Sequence, residues 1–141
     1  MKTLVIVALA NFYLLGVMLV FQRVVYPAFG FVARDQFPAY YAAFTSRIAF
    51  VVVVPEFVAF LSVVPLFFTR PPHVPPWAVG TTLAAGLAYM LITFGWHLPV
   101  HRLLANGDNS AAVVDQLLRT HALRTVQAAK CALLGWMLVK A

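Results

Sequence analysis

The chain has 141 residues, of which 63% are hydrophobic and only 10% are charged. A soluble domain usually carries about 25% charged residues, and a water-soluble fold of this size could not bury so much apolar side chain. A lipid bilayer accepts an apolar outer surface but requires every backbone polar group to be bonded internally. Because the apolar runs are long and lack the alternation of a β-barrel, the sequence predicts membrane-spanning α-helices.

The formal net charge of +6 does not indicate nucleic acid binding. The basic residues stand singly near the ends of apolar runs, and no basic cluster with interleaved aromatic residues is present. Lysine and arginine in those positions are typical of contact with lipid headgroups. The expected partner is therefore the lipid bilayer. Since Cys131 is the single cysteine, the chain cannot form an internal disulfide.

The apolar runs predict four spans in one transmembrane domain, at residues 3–21, 47–69, 77–98 and 122–139. The stretch between the first two spans mixes prolines, tyrosines and charges, which favours a short interfacial segment. A proline-rich turn at residues 70–76 and a polar turn at residues 106–110 make the other connections. The predicted fold is all-α, a polytopic membrane four-helix bundle.

Glu56 and Lys130 form a candidate intramembrane ion pair. The second and fourth spans enter the bilayer from the same side, and a rise of 1.5 Å per residue places both charges at similar depth. An unpaired charge at that depth costs about 2.5–3.5 kcal/mol, so a pair is the economical solution. Three interpretations remain open: the pair orients two helices, it handles protons or substrate, or Lys130 reaches the interface alone.

A second polar group is predicted at the mouth of the bundle and comprises Arg47, His97, His101, His121 and Arg124. His97 and His101 are four residues apart, which on a helix places both on one face. With His121 they could bind a transition metal or haem iron. Two features oppose this: Pro99 lies between the two histidines, and the acidic residue of an H-E-x-x-H motif is missing.

Two alternative roles for the mouth remain open. The histidines could form hydrogen bonds only, at the membrane interface. Alternatively, Arg47, Arg102 and Arg124 could hold an anionic headgroup or an acidic metabolite. Tyr13, Tyr89 and Thr93 are predicted to form hydrogen bonds between helices, and no complete catalytic arrangement is recognised elsewhere in the sequence.

Several short motifs are shared with a group of small bacterial four-helix membrane proteins, which the chain resembles over nearly its whole length. The motifs are Phe21-Gln22-x-Val24-Val25-Tyr26-Pro27, Phe37-Pro38-Ala39-Tyr40, Ser46-Arg47-Ile48, Pro55-Glu56, Pro99-Val100-His101 and Leu123-Arg124-Thr125. The group is distantly similar to anthrone-oxygenase-like membrane proteins of unknown function. The resemblance implies a four-helix bundle in a bacterial inner membrane and draws attention to Arg47, Glu56, His101 and Arg124.

The chain departs from the group in one place. Where the group is expected to have Asn-Trp before Ile-Arg-Thr, this sequence has His121-Ala122 before Leu123-Arg124-Thr125. A metal site made of three histidines would therefore not be general to the group, and the resemblance does not carry an oxygenase activity to this chain.

Three functional hypotheses follow. The first is a membrane protein without its own catalysis: an accessory or structural subunit of a larger complex, a homo-oligomer, or a binding protein. The second is an oxidoreductase or oxygenase that holds a metal or haem through His97, His101 and His121 at the mouth of the bundle. The larger number of arginines on that side predicts that the mouth faces the cytoplasm. The third is a small proton-coupled carrier that uses Glu56 and Lys130.

Overall fold

The computed structural model describes residues 1–140 and is helical almost throughout. Three long helices are α1 (Lys2–Phe31), α2 (Phe37–Thr69) and α3 (Pro76–Ala105), and each is long and apolar enough to cross a membrane. A break at Arg124 and Thr125 divides the fourth stretch into α4 (Ala111–Leu123) and α5 (Val126–Lys140). The protein is therefore an all-α, four-helix integral membrane protein, with three clear spans and a shorter fourth helix packed among them.

The first two helices are longer than the sequence predicts. Helix α1 continues past Gln22 and Arg23 to Phe31, and α2 already begins at Phe37. The expected interfacial segment is thus not a separate element, because most of its residues extend these two helices. Asn109 fixes the short connection: its Nδ2 donates to the carbonyl oxygens of Phe29, at 2.9 Å, and Val32, at 2.8 Å. These bonds supply a side-chain donor to backbone carbonyls at and just beyond the end of α1.

Each long helix contains one π-helical turn, and a proline follows each of these turns two residues later. The turns are Phe21–Val25, Ala49–Val53 and Thr93–His97, and the prolines are Pro27, Pro55 and Pro99. Proline lacks an N–H and clashes with the preceding turn of a regular helix. A wide turn relieves that conflict without ending the helix, so α3 passes through Pro99 and keeps His97 and His101 on one face.

The interior consists of three apolar layers along the bundle. The layer at the end holding both termini contains Leu4, Val63, Leu66, Ala78, Leu134 and Met137, among others. The opposite end is aromatic, with Phe21, Tyr26, Phe29, Phe37 and Tyr41 packed against α3 and α4. A middle layer is formed by Leu14, Met18, Ala59, Tyr89 and Met90. Buried polar side chains lie among these layers, and they position the candidate site.

Helices α2, α3 and α5 approach closely at Gly86. A Cβ atom there would lie 3.0 Å from Cδ2 of Phe60 and 3.2 Å from Nζ of Lys130, whereas a Cβ at Gly80 would meet nothing within 4 Å. We therefore expect Gly86→Val to destabilise the protein by about 1–3 kcal/mol through overpacking. Gly80→Val is the matched control on the same helix. Thermal unfolding in detergent measures the difference, and equal melting temperatures for the two variants would contradict this packing.

Candidate functional site

Two tyrosines and two histidines from α1, α2 and α3 form a hydrogen-bonded group, the His–Tyr cluster: Tyr26, Tyr41, His97 and His101. The Nε2 atoms of His97 and His101 lie 3.1 Å apart. The hydroxyl of Tyr26 lies 3.2 Å from the first of these atoms and 3.4 Å from the second. The hydroxyl of Tyr41 lies 2.6 Å from Nδ1 of His101. Three helices thus meet through one polar network inside the aromatic layer.

Thr120 on α4 fixes the orientation of His97. Its hydroxyl oxygen lies 3.0 Å from Nδ1 of His97 and also 3.0 Å from the carbonyl oxygen of Leu117. Since the hydroxyl has a single proton and donates it to the carbonyl, the threonine oxygen accepts the Nδ1–H of His97. The Nε2 atom of a neutral His97 is then an acceptor, and it faces Tyr26 and His101.

His121 lies beside the cluster but faces away from it. Its Nε2 donates to the carbonyl oxygen of Met18 at 3.0 Å, and its Nδ1 lies 3.4 Å from Nη1 of Arg124. Its ring packs edge-on against Tyr26, with the ring centres 4.9 Å apart. The structure therefore brings the three predicted histidines together, but the nitrogen atoms of His121 point toward other partners.

Glu56 forms a buried ion pair with Arg124. The guanidinium donates to the carboxylate and to the hydroxyl of Tyr89, and the Tyr89 hydroxyl also contacts Glu56 Oε1, at 2.5 Å. The guanidinium carbon lies 4.5 Å from the centre of the Tyr89 ring. The helix break at Arg124 brings this side chain into the interior from the junction of α4 and α5.

Tyr89 thus forms the predicted contact between helices, as does Tyr13, whose hydroxyl donates to the carbonyl oxygen of Val51 at 3.1 Å. The prediction is wrong for Thr93, which donates to the carbonyl oxygen of Tyr89 on its own helix.

The predicted Glu56–Lys130 pair is replaced by the Glu56–Arg124 pair. Lys130 is buried but donates to the carbonyl oxygen of Ala59 at 3.2 Å. The same carbonyl accepts from Asn11 at 3.2 Å, and Gln127 donates to Asn11 Oδ1 at 3.1 Å. Lys130 therefore belongs to a second polar layer, one that uses backbone oxygen where a carboxylate was expected.

A cavity of about 560 Å³ lies between α2 and α3, with its inner side formed by α1 and by Arg124. Most of its wall is apolar. The polar side chains that reach it belong to the His–Tyr cluster and the ion pair, namely Tyr26, Tyr41, His97, His101, Glu56 and Arg124, together with Thr45, Thr93 and Arg102. Ligand cavities of about 300–1,000 Å³ with apolar walls and a few convergent polar groups are typical of small-molecule sites.

The two remaining arginines of the predicted mouth do not join the cluster. Arg47 is exposed on α2 and lies outside this cavity, and Arg102 is exposed at the cavity rim. A site that holds an anion with Arg47, Arg102 and Arg124 together is therefore not assembled. Within residues 1–140, no three side chains from His, Cys, Asp and Glu are arranged to hold a metal ion.

Three residues of the site were not singled out for it by the sequence: Tyr26, Tyr41 and Thr120. Both tyrosines fall in the stretch interpreted as interfacial, where tyrosine is common for reasons of polarity alone. The signal that could have found them is the length of the first two helices. Each tyrosine reaches the cluster only because its helix extends beyond the predicted span. Thr120 lies one residue before His121, and no sequence motif marks it as a residue of the site.

Comparison with known proteins adds no functional assignment, since no protein-family model, curated protein or solved structure matches the chain.

The ion pair makes a quantitative prediction about stability. Glu56→Gln and Arg124→Met should each lower the free energy of unfolding by about 3–5 kcal/mol, because each change leaves one buried group without its charged partner. The double variant should lose clearly less than the sum of the two. Chemical unfolding in detergent measures all three, and a double-mutant cycle extracts the coupling.

Two controls sharpen that measurement. Asp115→Asn breaks an exposed pair with Arg119 in which the side chains are 58% and 80% exposed, so its effect should be within about 0–1 kcal/mol. Lys130→Met tests the replaced pairing. A coupling of Glu56 to Lys130 as large as its coupling to Arg124 would contradict the structure.

Proposed function

We propose that this protein is a membrane binding protein for a small, neutral, lipid-soluble molecule that carries a hydroxyl or carbonyl oxygen. The observation that carries the proposal is the cavity of about 560 Å³ between α2 and α3, apolar in its walls and polar at its inner side. The proposed location is the inner membrane of a bacterium.

The charge of the cavity supports a neutral ligand. Glu56 and Arg124 neutralise each other, so the inner side offers hydrogen bonds without a net charge. Tyr41 and His101 supply groups that can donate to or accept from an oxygen atom, depending on the position of their shared proton. An anionic ligand would need a free cation at this depth, and Arg124 is already paired.

The walls support a ring-shaped ligand over a flexible acyl chain. Phe21, Tyr26, Tyr41 and Phe44 line the cavity, and aromatic side chains of this kind pack against flat rings in offset or edge-on arrangements. The cavity lies between two segments that span the membrane, so an apolar ligand could enter from the bilayer without crossing water. This favours a lipid-soluble aromatic molecule.

The same contacts reduce the support for a proton-coupled carrier. That hypothesis depends on Glu56 and Lys130 acting together, whereas Glu56 binds Arg124 and Lys130 binds a backbone carbonyl. The binding function retains its support because every polar group that it uses lies at the cavity.

The proposal predicts saturable binding of 1-naphthol, a neutral aromatic alcohol, to the protein in lipid nanodiscs. Ala49→Trp adds an indole to the cavity wall and should abolish the saturable component, because the ligand and the new side chain compete for the same space. Ala84→Trp is the matched control, since Ala84 is exposed on α3 outside the cavity. Equilibrium dialysis of radiolabelled 1-naphthol measures both.

Empty nanodiscs correct that measurement for partition into lipid. Binding to the wild type that does not exceed binding to empty nanodiscs would overturn the proposal, and so would equal saturable binding to the Ala49→Trp and Ala84→Trp variants. Tyr41→Phe should weaken binding while the variant remains folded, because it removes one hydrogen-bonding hydroxyl and little volume.

A further inference from the structure

We infer that Tyr26, His97 and His101 form a site for a divalent transition-metal ion such as Zn²⁺ or Cu²⁺. The two imidazole Nε2 atoms and the phenolic oxygen form a nearly equilateral triangle with sides of 3.1, 3.2 and 3.4 Å. The point equidistant from three atoms so placed lies roughly 1.9 Å from each, against about 2.0–2.1 Å for a Zn–N bond. A small displacement of the ion out of the plane makes up the difference.

The groups behind both histidines are those that a metal site requires. Thr120 accepts from Nδ1 of His97, which directs the lone pair of Nε2 toward the triangle. The Tyr41 hydroxyl lies beside Nδ1 of His101, and it also lies 3.2 Å from the carbonyl oxygen of His101. Partners on the far nitrogen of this kind fix the tautomer and the ring orientation of histidine ligands.

The protons of the site balance. Because Nε2 of His97 is an acceptor, the arrangement without an ion has the Nε2–H of His101 donating to it, and Nδ1 of His101 then accepts from Tyr41. When the ion binds, the proton of His101 takes the Nδ1 position and is donated to Tyr41, whose own proton turns to the carbonyl oxygen of His101. Tyr26 binds as a phenolate and releases its proton to solvent. Binding of one divalent ion therefore releases one proton, with no oxidation or reduction.

The ligand set selects the class of ion. Two imidazoles and a phenolate suit late first-row metals, whereas Ca²⁺ takes six to eight oxygen ligands. All three ligands line the cavity, so the fourth position of the ion faces open space where water or a ligand oxygen can bind. His121 is excluded from the site because its Nε2 is committed to Met18. The proposed metal site stands whether or not the cavity binds an aromatic alcohol.

Titration of the chelator-stripped protein in detergent with Cu²⁺ tests the site without any cavity ligand. The expected result is one ion per chain and a visible charge-transfer band from phenolate to Cu²⁺. Tyr26→Phe should retain weaker binding and lose the band, and His97→Gln should lose stoichiometric binding. His73→Gln changes an exposed histidine in the α2–α3 connection and should alter neither property.

Thr120 is a positioning residue for His97, and its variants test the geometry independently of folding. Thr120→Val should weaken Zn²⁺ binding by about 10–100-fold, the usual loss when the partner of a metal-binding histidine is removed. Thr120→Ser should restore most of that affinity, a rescue that a purely structural role of the methyl group would not give. Calorimetric titration with Zn²⁺ measures both variants.

The inference would be overturned if the wild type bound no stoichiometric ion. It would equally be overturned if binding survived in His97→Gln, or if the charge-transfer band survived in Tyr26→Phe. Circular dichroism in the same detergent shows whether each variant retains its helices. A loss of binding in His97→Gln counts for the site only where that signal is unchanged, and otherwise Thr120→Val and its serine rescue decide.

Discussion

The arrangement of the helices depends on the ion pair between Glu56 and Arg124. Both side chains lie in the apolar interior, where a charge is tolerated only beside an opposite charge or several hydrogen-bond partners. The pair joins α2 to the junction of α4 and α5, and the hydroxyl of Tyr89 adds α3 to the same contact. The contact thereby holds α2, α3 and the fourth helical stretch in register at one depth.

The ion pair also defines the inner side of the cavity. Arg124 enters from the break in the fourth stretch, and α4, on the N-terminal side of that break, packs against the aromatic layer. The three π-helical turns lie around this region, and each is followed by a proline that a regular helix would not accommodate. The same wide turns present Tyr26, Glu56 and His97 to the interior. Proline placement, which would otherwise only bend helices, thus contributes to the construction of a site.

The fold was predictable because the apolar composition requires lipid around the chain, and in lipid the backbone must satisfy its own hydrogen bonds as helices. Runs of apolar residues can be counted, and the all-α fold with four helical stretches was predicted correctly, although only three of those stretches are long and apolar enough to cross a membrane. The limits of the helices were less predictable. Tyrosine, proline and arginine are typical of a headgroup zone, but they are equally compatible with an aromatic core such as that formed by Phe29 and Phe37. Composition alone does not distinguish these two environments.

The partner of Glu56 was predicted wrongly for a geometric reason. Counting 1.5 Å per residue assumes straight helices with regular turns, and on that basis Lys130 lies at the depth of Glu56. A π-helical turn before Glu56 and a break at Arg124 change both depths, and the long arginine side chain then reaches the carboxylate. The proximity of His97, His101 and His121 was anticipated from spacing. The orientation of their nitrogens was not, because it depends on Thr120, Tyr41 and the Met18 carbonyl.

The state of the Glu56 carboxyl tests the central role of the ion pair most directly, and the sequence makes it accessible because Glu56 is the only glutamate in the chain. Infrared spectroscopy of protein grown with ¹³C-labelled glutamate and reconstituted in lipid would report this side chain, with Glu56→Gln as the blank. We expect the absorption of an ionised carboxylate in the wild type and that of a protonated acid in Arg124→Met. A protonated acid in the wild type, or an unchanged carboxylate in Arg124→Met, would contradict the central role of the pair.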